Sequence, residues 1–300
     1  MSAYQPSGAQ RATPDPELTS RMSISCRQPR RPSRKCIFCG EGGTRGNPMT
    51  EEHLWPECMH PCLPQVSAAK TQAGHHRVRL GEVIAERKIR EGHVFKKRFR
   101  LVCKQCNSSW MSGIEDDAKP ILIPMLEGRS ITLLKNSRIT LATWIALKVM
   151  VSESIESSDA VINQDERSEF KVARTIPRRL RIWLGTHDLP EWYTGYWHQT
   201  LLAYFGKRPP EAPPDGAFKN VQTTAIGIGH ILTLSFATTL RELDINPISR
   251  ITKSRRLWPL RNQPIVWPLP RLSSVEANGL ADCLRELMHS PLTEWQPFQG

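Results

Sequence analysis

Nowhere in the 300 residues is there an uninterrupted apolar run of the roughly 18 residues that a membrane-spanning helix needs. A membrane partner is therefore not expected. The first 35 residues also lack the apolar block of a secretory signal, which points to the cytoplasm. In that reducing compartment the eight cysteines are expected as thiols or metal ligands, not disulfides. No internal repeat is present, and acid is in deficit, with 29 Asp and Glu against 41 Lys and Arg. Hydrophobic residues still make up 39% of the chain, which excludes a wholly disordered protein. The length leaves room for about two domains.

The positive excess is local. Residues 1–35 carry a net +5 and residues 77–104 a net +7. Both read as footprints for a polyanion, most simply nucleic acid; the other reading is a solvated surface. Residues 1–35, rich in Pro, Ser, Arg and Gln, are expected as a disordered basic arm. Residues 36–124 form a first module, in which 61–100 look like an insertion ending in a basic strand from Val94 to Val102. A helix is expected next, capped by Asn107 or Ser108 and ended near Lys119 by Pro120. Residues 125–300 read as a C-terminal α+β domain of unassigned role. In it, Leu141 to Val151 is apolar enough for a buried helix. Residues 179–185, 192–205 and 221–238 read as strands. Residues 258–270 are an extended segment, and 274–289 a final amphipathic helix. The tryptophans at 183, 192, 197, 258 and 267 are expected to pack.

Two Cys-x-x-Cys pairs, Cys36/Cys39 and Cys103/Cys106, supply the four thiolates that a tetrahedral Zn²⁺ takes. Redox or simply buried cysteines are the other reading. Cys58 and Cys62, with His60 between them, form a rival ligand set. If the four thiolates meet, Glu52 and His53 on a short hairpin can pack against the helix that starts near Asn107. A carboxylate, an imidazole and an amide oxygen would then converge, a donor set suited to a hydrolytic Mg²⁺ site. His53 read alone is a packed surface histidine, and Asn107 read alone is a helix cap. Glu51 is a one-residue alternative to Glu52. Glu115, a rise of about 12 Å from Asn107, is too far to share one metal with it and is expected at the surface or as a support behind the metal ligands. Trp110 and Met111 are expected to pack on the hairpin. His75, His76 and His93 are expected in solvent, with a spare ligand role open.

Cys36-Ile37-Phe38-Cys39, Glu52-His53 followed by Pro56, and Cys103 to Cys106 with Asn107 together resemble the HNH endonuclease superfamily in its zinc-stapled form. The likeness covers residues 36 to about 119. It implies an α+β chain whose N-terminal part is a ββα-metal (HNH, His-Me finger) module with a four-cysteine zinc site. It implies phosphodiester hydrolysis of nucleic acid, DNA in the first place. His53 would be the general base, and Glu52 and Asn107 would hold Mg²⁺ or Mn²⁺, beside a structural Zn²⁺ on Cys36, Cys39, Cys103 and Cys106. Asn107 stands where the family usually has a histidine. The family's middle asparagine is not evident; Arg98 lies near its place. Lys96, Lys97, Arg98, Arg100 and Lys104 would contact phosphates. The alternatives are a non-catalytic zinc-ribbon nucleic-acid binder and a protein-interaction module worked by the C-terminal domain.

Overall fold

A computed structural model describes residues 35–63, 70–79, 82–91, 98–155, 161–201, 221–239, 253–281 and 283. The first half contains β1 (Met49–His53), a 3-10 turn (Glu57–Cys62), β2 (Lys70–Arg79), β3 (Glu82–Glu91) and β4 (Arg98–Cys103). A helical run follows: α1 (Lys104–Cys106), a π turn (Asn107–Met111) and α2 (Ser112–Leu126). Then come β5 (Ile131–Leu133), α3 (Lys135–Glu153), α4 (Gln164–Ala173), β6 (Leu180–His187), a 3-10 turn (Pro190–Trp192) and β7 (Tyr196–Leu201). The chain continues through β8 (Val221–Ile228), β9 (Ile231–Thr238), β10 (Arg255–Trp258), β11 (Ile265–Trp267), β12 (Arg271–Leu272) and α5 (Ser274–Ala281). The class is α+β, as the sequence indicates. The expected basic arm, and residues 282 and 284–289 of the expected last helix, lie outside the described residues.

The strands form three sheets. β1 pairs antiparallel with β4, His53 opposite Arg98 and Met49 opposite Cys103, with a register shift between Thr50 and Glu52. β11 pairs antiparallel with β5. The large sheet runs in the order β10-β6-β9-β8-β7-β2-β3, with β12 added parallel to β6. The 61–100 segment, read only as an insertion, thus contributes two ten-residue strands to this sheet, β2 running parallel to β7. Its basic strand is observed from Arg98; residues 94–97 lie outside the described residues.

Alternation explains why β8 and β9 are buried at every position. Leu180, Ile182, Leu184, Ile226, Ile228 and Ile231 join the core that includes α3. Trp183, Val221, Ala225, Leu232, Leu234 and Phe236 join a second core with Ala277 and Leu280 of α5. The α3 helix packs between α2 and the large sheet. All of its residues from Leu141 to Glu153 are buried, Lys148 included. The first core is continuous from Cys36 to Leu269, across the change in composition at Pro124.

One sequence expectation is corrected here. The helix does not stop at Pro120; α2 includes both Pro120 and Pro124. Each proline removes one backbone donor, and burial of Ile114, Ala118, Leu122 and Met125 against the core offsets that loss. No helix among the described residues is long and apolar enough to cross a membrane.

The β1 region and the large sheet are joined by Trp55, whose Nε1 donates to the Gly227 carbonyl at 2.9 Å. Gly227 is required there, because a Cβ at that position would stand 1.7 Å from the Trp192 carbonyl oxygen.

Candidate functional site

The two Cys-x-x-Cys pairs meet. Cys36 lies in a turn held by Cys36 N donating to Glu41 O at 2.7 Å and Gly40 N to Cys36 O at 2.9 Å. Ile37 N donates to Leu101 O at 3.1 Å, which brings that turn onto β4. Lys104 N donates to Pro48 O at 2.8 Å, and Gln105 N to Asn47 Oδ1 at 3.0 Å, which fixes the second pair. Gly42, with φ +108°, lets the first turn pass Cys103, since a Cβ there would lie 2.8 Å from Cys103 Cβ.

Cys39 Sγ and Cys103 Sγ are 3.7 Å apart, and the four sulfurs all lie within 4.8 Å of one another. A tetrahedral zinc with Zn–S near 2.3 Å sets its sulfurs roughly 3.8 Å apart. The donor set and spacing therefore fit a metal ion such as zinc. Cys36, Cys103 and Cys106 are buried and Cys39 is half-buried. Hydrogen bonding from Cys106 pulls the Cys36 thiol down to about 4. The same contact, together with burial, pushes Cys106 up, and burial pushes Cys39 up. Without a cation the cluster favours the Cys36 thiolate over those of Cys39 and Cys106.

Beside this centre, β1 ends on Glu52 and His53. Glu52 is 6% exposed and its Oε1 accepts from Lys148 Nζ at 2.8 Å. The same ammonium donates to Glu115 Oε1 at 2.6 Å and to the His53 carbonyl at 3.0 Å. Glu115 is thus not a free surface acid: its side chain is 24% exposed and shares Lys148 with Glu52. His53 Nε2 is 3.4 Å from Glu57 Oε1, but not aligned as a hydrogen bond, and that nitrogen has no hydrogen-bond partner. Burial lowers the His53 pKa below 6.5, with Glu57 opposing. The neutral imidazole is therefore favoured at pH 7.

Asn107 is not a helix cap, since its φ of −66° and ψ of −50° put it inside the helical run. Its Nδ2 donates to Thr50 Oγ1 at 3.1 Å and to Glu51 O at 3.3 Å, bracing the helix against β1. Glu52 and His53 on β1, and Asn107 beside it, thus share one strand neighbourhood, but Glu52 Oε1 is held by Lys148. Among the described residues the tetrathiolate alone groups three or more Cys, His, Asp or Glu side chains at metal-binding distances. Cys58, His60 and Cys62 lie on the 3-10 turn without forming such a group, and His60 Nε2 is 3.2 Å from Trp55 O.

Arg98 approaches Glu57 at 3.2 Å and Glu51 at 3.9 Å; Arg100 approaches Glu51 at 3.5 Å. Both guanidiniums are exposed yet already charge-paired. Lys104 is exposed at the start of α1. Lys96, Lys97 and His93 lie outside the described residues, as do the side chains of His75 and His76 on β2. Trp110 packs edge-on to Phe38 of the Cys36 turn at 4.9 Å, with the Arg174 guanidinium 4.6 Å above its ring.

The sequence reading missed Lys148 altogether. Its signal is a single lysine inside the apolar run Leu141 to Val151: a buried ammonium requires acceptors. Comparison with protein-family models, curated proteins and solved structures returns no match.

Proposed function

We propose that the protein is a metal-dependent endonuclease of the HNH type, hydrolysing phosphodiester bonds in nucleic acid, DNA first. One observation carries this reading. The four thiols join the Cys36 turn to the junction of β4 and α1, and β1, ending on His53, pairs with β4 directly beside the Asn107 turn. The two antiparallel strands followed by a helix are what a ββα-metal module requires. A structural zinc on Cys36, Cys39, Cys103 and Cys106 would hold that arrangement.

The His53 imidazole, kept neutral by burial, takes the proton of the attacking water. Glu57 stands where it can steady the imidazolium that results. Carboxylate and amide oxygens suit a hard cation, so Glu52 and Asn107 would be the donors for Mg²⁺ or Mn²⁺. Such an ion would supply charge stabilisation at the phosphate. Arg98, Arg100 and Lys104 offer positive charge to the backbone, the two arginines by exchanging Glu51 and Glu57 for phosphate.

Replacing His53 by Ala tests the reading. Metal-dependent nicking should fall by about 100-fold or more, with zinc content and nucleic-acid affinity unchanged. One observation favours a second reading, a non-catalytic zinc-ribbon nucleic-acid binder: the Glu52 carboxylate is engaged by Lys148. Wild-type protein that binds DNA or RNA but cleaves neither with Mg²⁺ or Mn²⁺ would establish that binder instead.

A further inference from the structure

Lys148 lies far beyond the Cys and His motifs, on α3, and is fully buried. An ammonium has three protons to donate, and here three oxygens receive them: Glu52 Oε1, Glu115 Oε1 and the His53 carbonyl. Two of these acceptors belong to the last two residues of β1, and the third to α2. One charged group therefore fixes the end of β1 to both helices at once. The His53 peptide plane cannot rotate without breaking the 3.0 Å bond to Nζ.

Stability alone is a weak reason to keep such a group. A buried ion cluster is often no better than apolar residues of the same volume, whereas its geometry is specific. Nothing else on α3 between Leu141 and Met150 carries charge. The His53 ring is faced by Glu57 and His60 from the 3-10 turn and by Arg98 from β4. Those groups act on the imidazole, whereas Lys148 holds the backbone from which it projects.

We infer that Lys148 is a positioning residue for His53: by binding the His53 carbonyl and the Glu52 carboxylate, it sets the direction in which the imidazole leaves β1. The inference rests on the endonuclease reading of His53. It makes α3 part of the reacting centre's geometry, although α3 follows the last recognisable motif by some 30 residues.

The test compares wild type, Lys148→Met, Lys148→Arg and His53→Ala as full-length proteins, cleaving duplex and single-stranded DNA with Mg²⁺. Zinc content and DNA affinity are measured alongside. Lys148→Met should lower kcat by about 100-fold, the scale of a small misplacement of a reacting group, while KM, DNA affinity and zinc stay as in wild type. Lys148→Arg, which can still donate to these oxygens, should recover part of kcat. A Lys148→Met protein with wild-type kcat, or with its loss confined to KM, overturns the inference while leaving the endonuclease reading standing. If Lys148→Met loses zinc or precipitates, Glu115→Gln takes its place, leaving Lys148 its Glu52 partner. It should lower kcat by about 10-fold at constant KM, and an unchanged kcat overturns the inference. Wild type and His53→Ala equally inert with Mg²⁺ and Mn²⁺ removes the endonuclease reading, and this inference with it.

Discussion

Four thiols within 4.8 Å of one another cannot all ionise unless a cation stands between them. Hydrogen bonding holds Cys36 down, near 4, at the expense of Cys106, which the same contact pushes up. Cys36, Cys39, Cys103 and Cys106 would hold a zinc as four thiolates, so its uptake would release protons and its affinity would fall in acid. Purified protein is expected to carry one zinc per chain by elemental analysis. Cys103→Ser should lose it, with a drop in stability on the order of 4 kcal/mol or more in denaturant titrations. The four clustered thiols were readable because Cys-x-x-Cys is a local device: each pair needs only a tight turn to aim two sulfurs at one point. Lys148 and Glu115 were not, because nothing near them in the chain names the partner. Lys148 meets Glu115 across 33 residues and Glu52 across 96.

At the scale of elements, strands and helices followed their patterns where burial and period agreed. The apolar run at Leu141 to Val151 became the centre of α3, and residues 221–238 became the β8–β9 hairpin. Departures came where neighbours overruled a local signal. Pro120 is a sound stop signal by itself, yet α2 continues because its buried side chains hold the turn in place. The approach of the Pro190–Trp192 turn to β8 depends on a missing side chain. Gly227→Ala would drive a methyl group into the Trp192 carbonyl, a backbone atom that cannot swing aside. It should cost about 2 to 3 kcal/mol by denaturant titration. It should also weaken the Trp55 bond to the Gly227 carbonyl, seen as a change in tryptophan fluorescence. Stability equal to wild type would show that the turn can move at little cost.

At the scale of the whole molecule, the central strands β8 and β9 of the large sheet are buried on both faces, and the neighbouring β6 buries a histidine. His187, at the end of β6, accepts from Leu189 N through Nδ1 at 3.2 Å, and its Nε2 has no partner. Burial lowers its pKa from 6.5 to about 4. The unfolded chain therefore binds a proton between pH 6.5 and 4 that the folded chain does not. The contribution is present above pH 6.5 and lost as pH falls through 4. Its size is about 3 kcal/mol. Urea titrations from pH 7 to 4 should show wild-type stability declining across that window, and His187→Phe should flatten the decline. An unaltered slope in the variant would assign the acid sensitivity to other groups.

The chain's own order of residues determined the cluster of four thiols, the position of His53 before Pro56, the α+β class and the periods of the buried elements. Each of these follows from spacings of a few residues, which turns, pleats and helical repeats translate directly into direction. Tertiary structure alone decided that the 61–100 segment joins the large sheet beside β7, that α2 runs through two prolines, and that Lys148 closes on Glu52, Glu115 and the His53 carbonyl. Those outcomes depend on which apolar faces bury one another, and a buried ammonium finds its acceptors only after that packing has brought them within 3 Å.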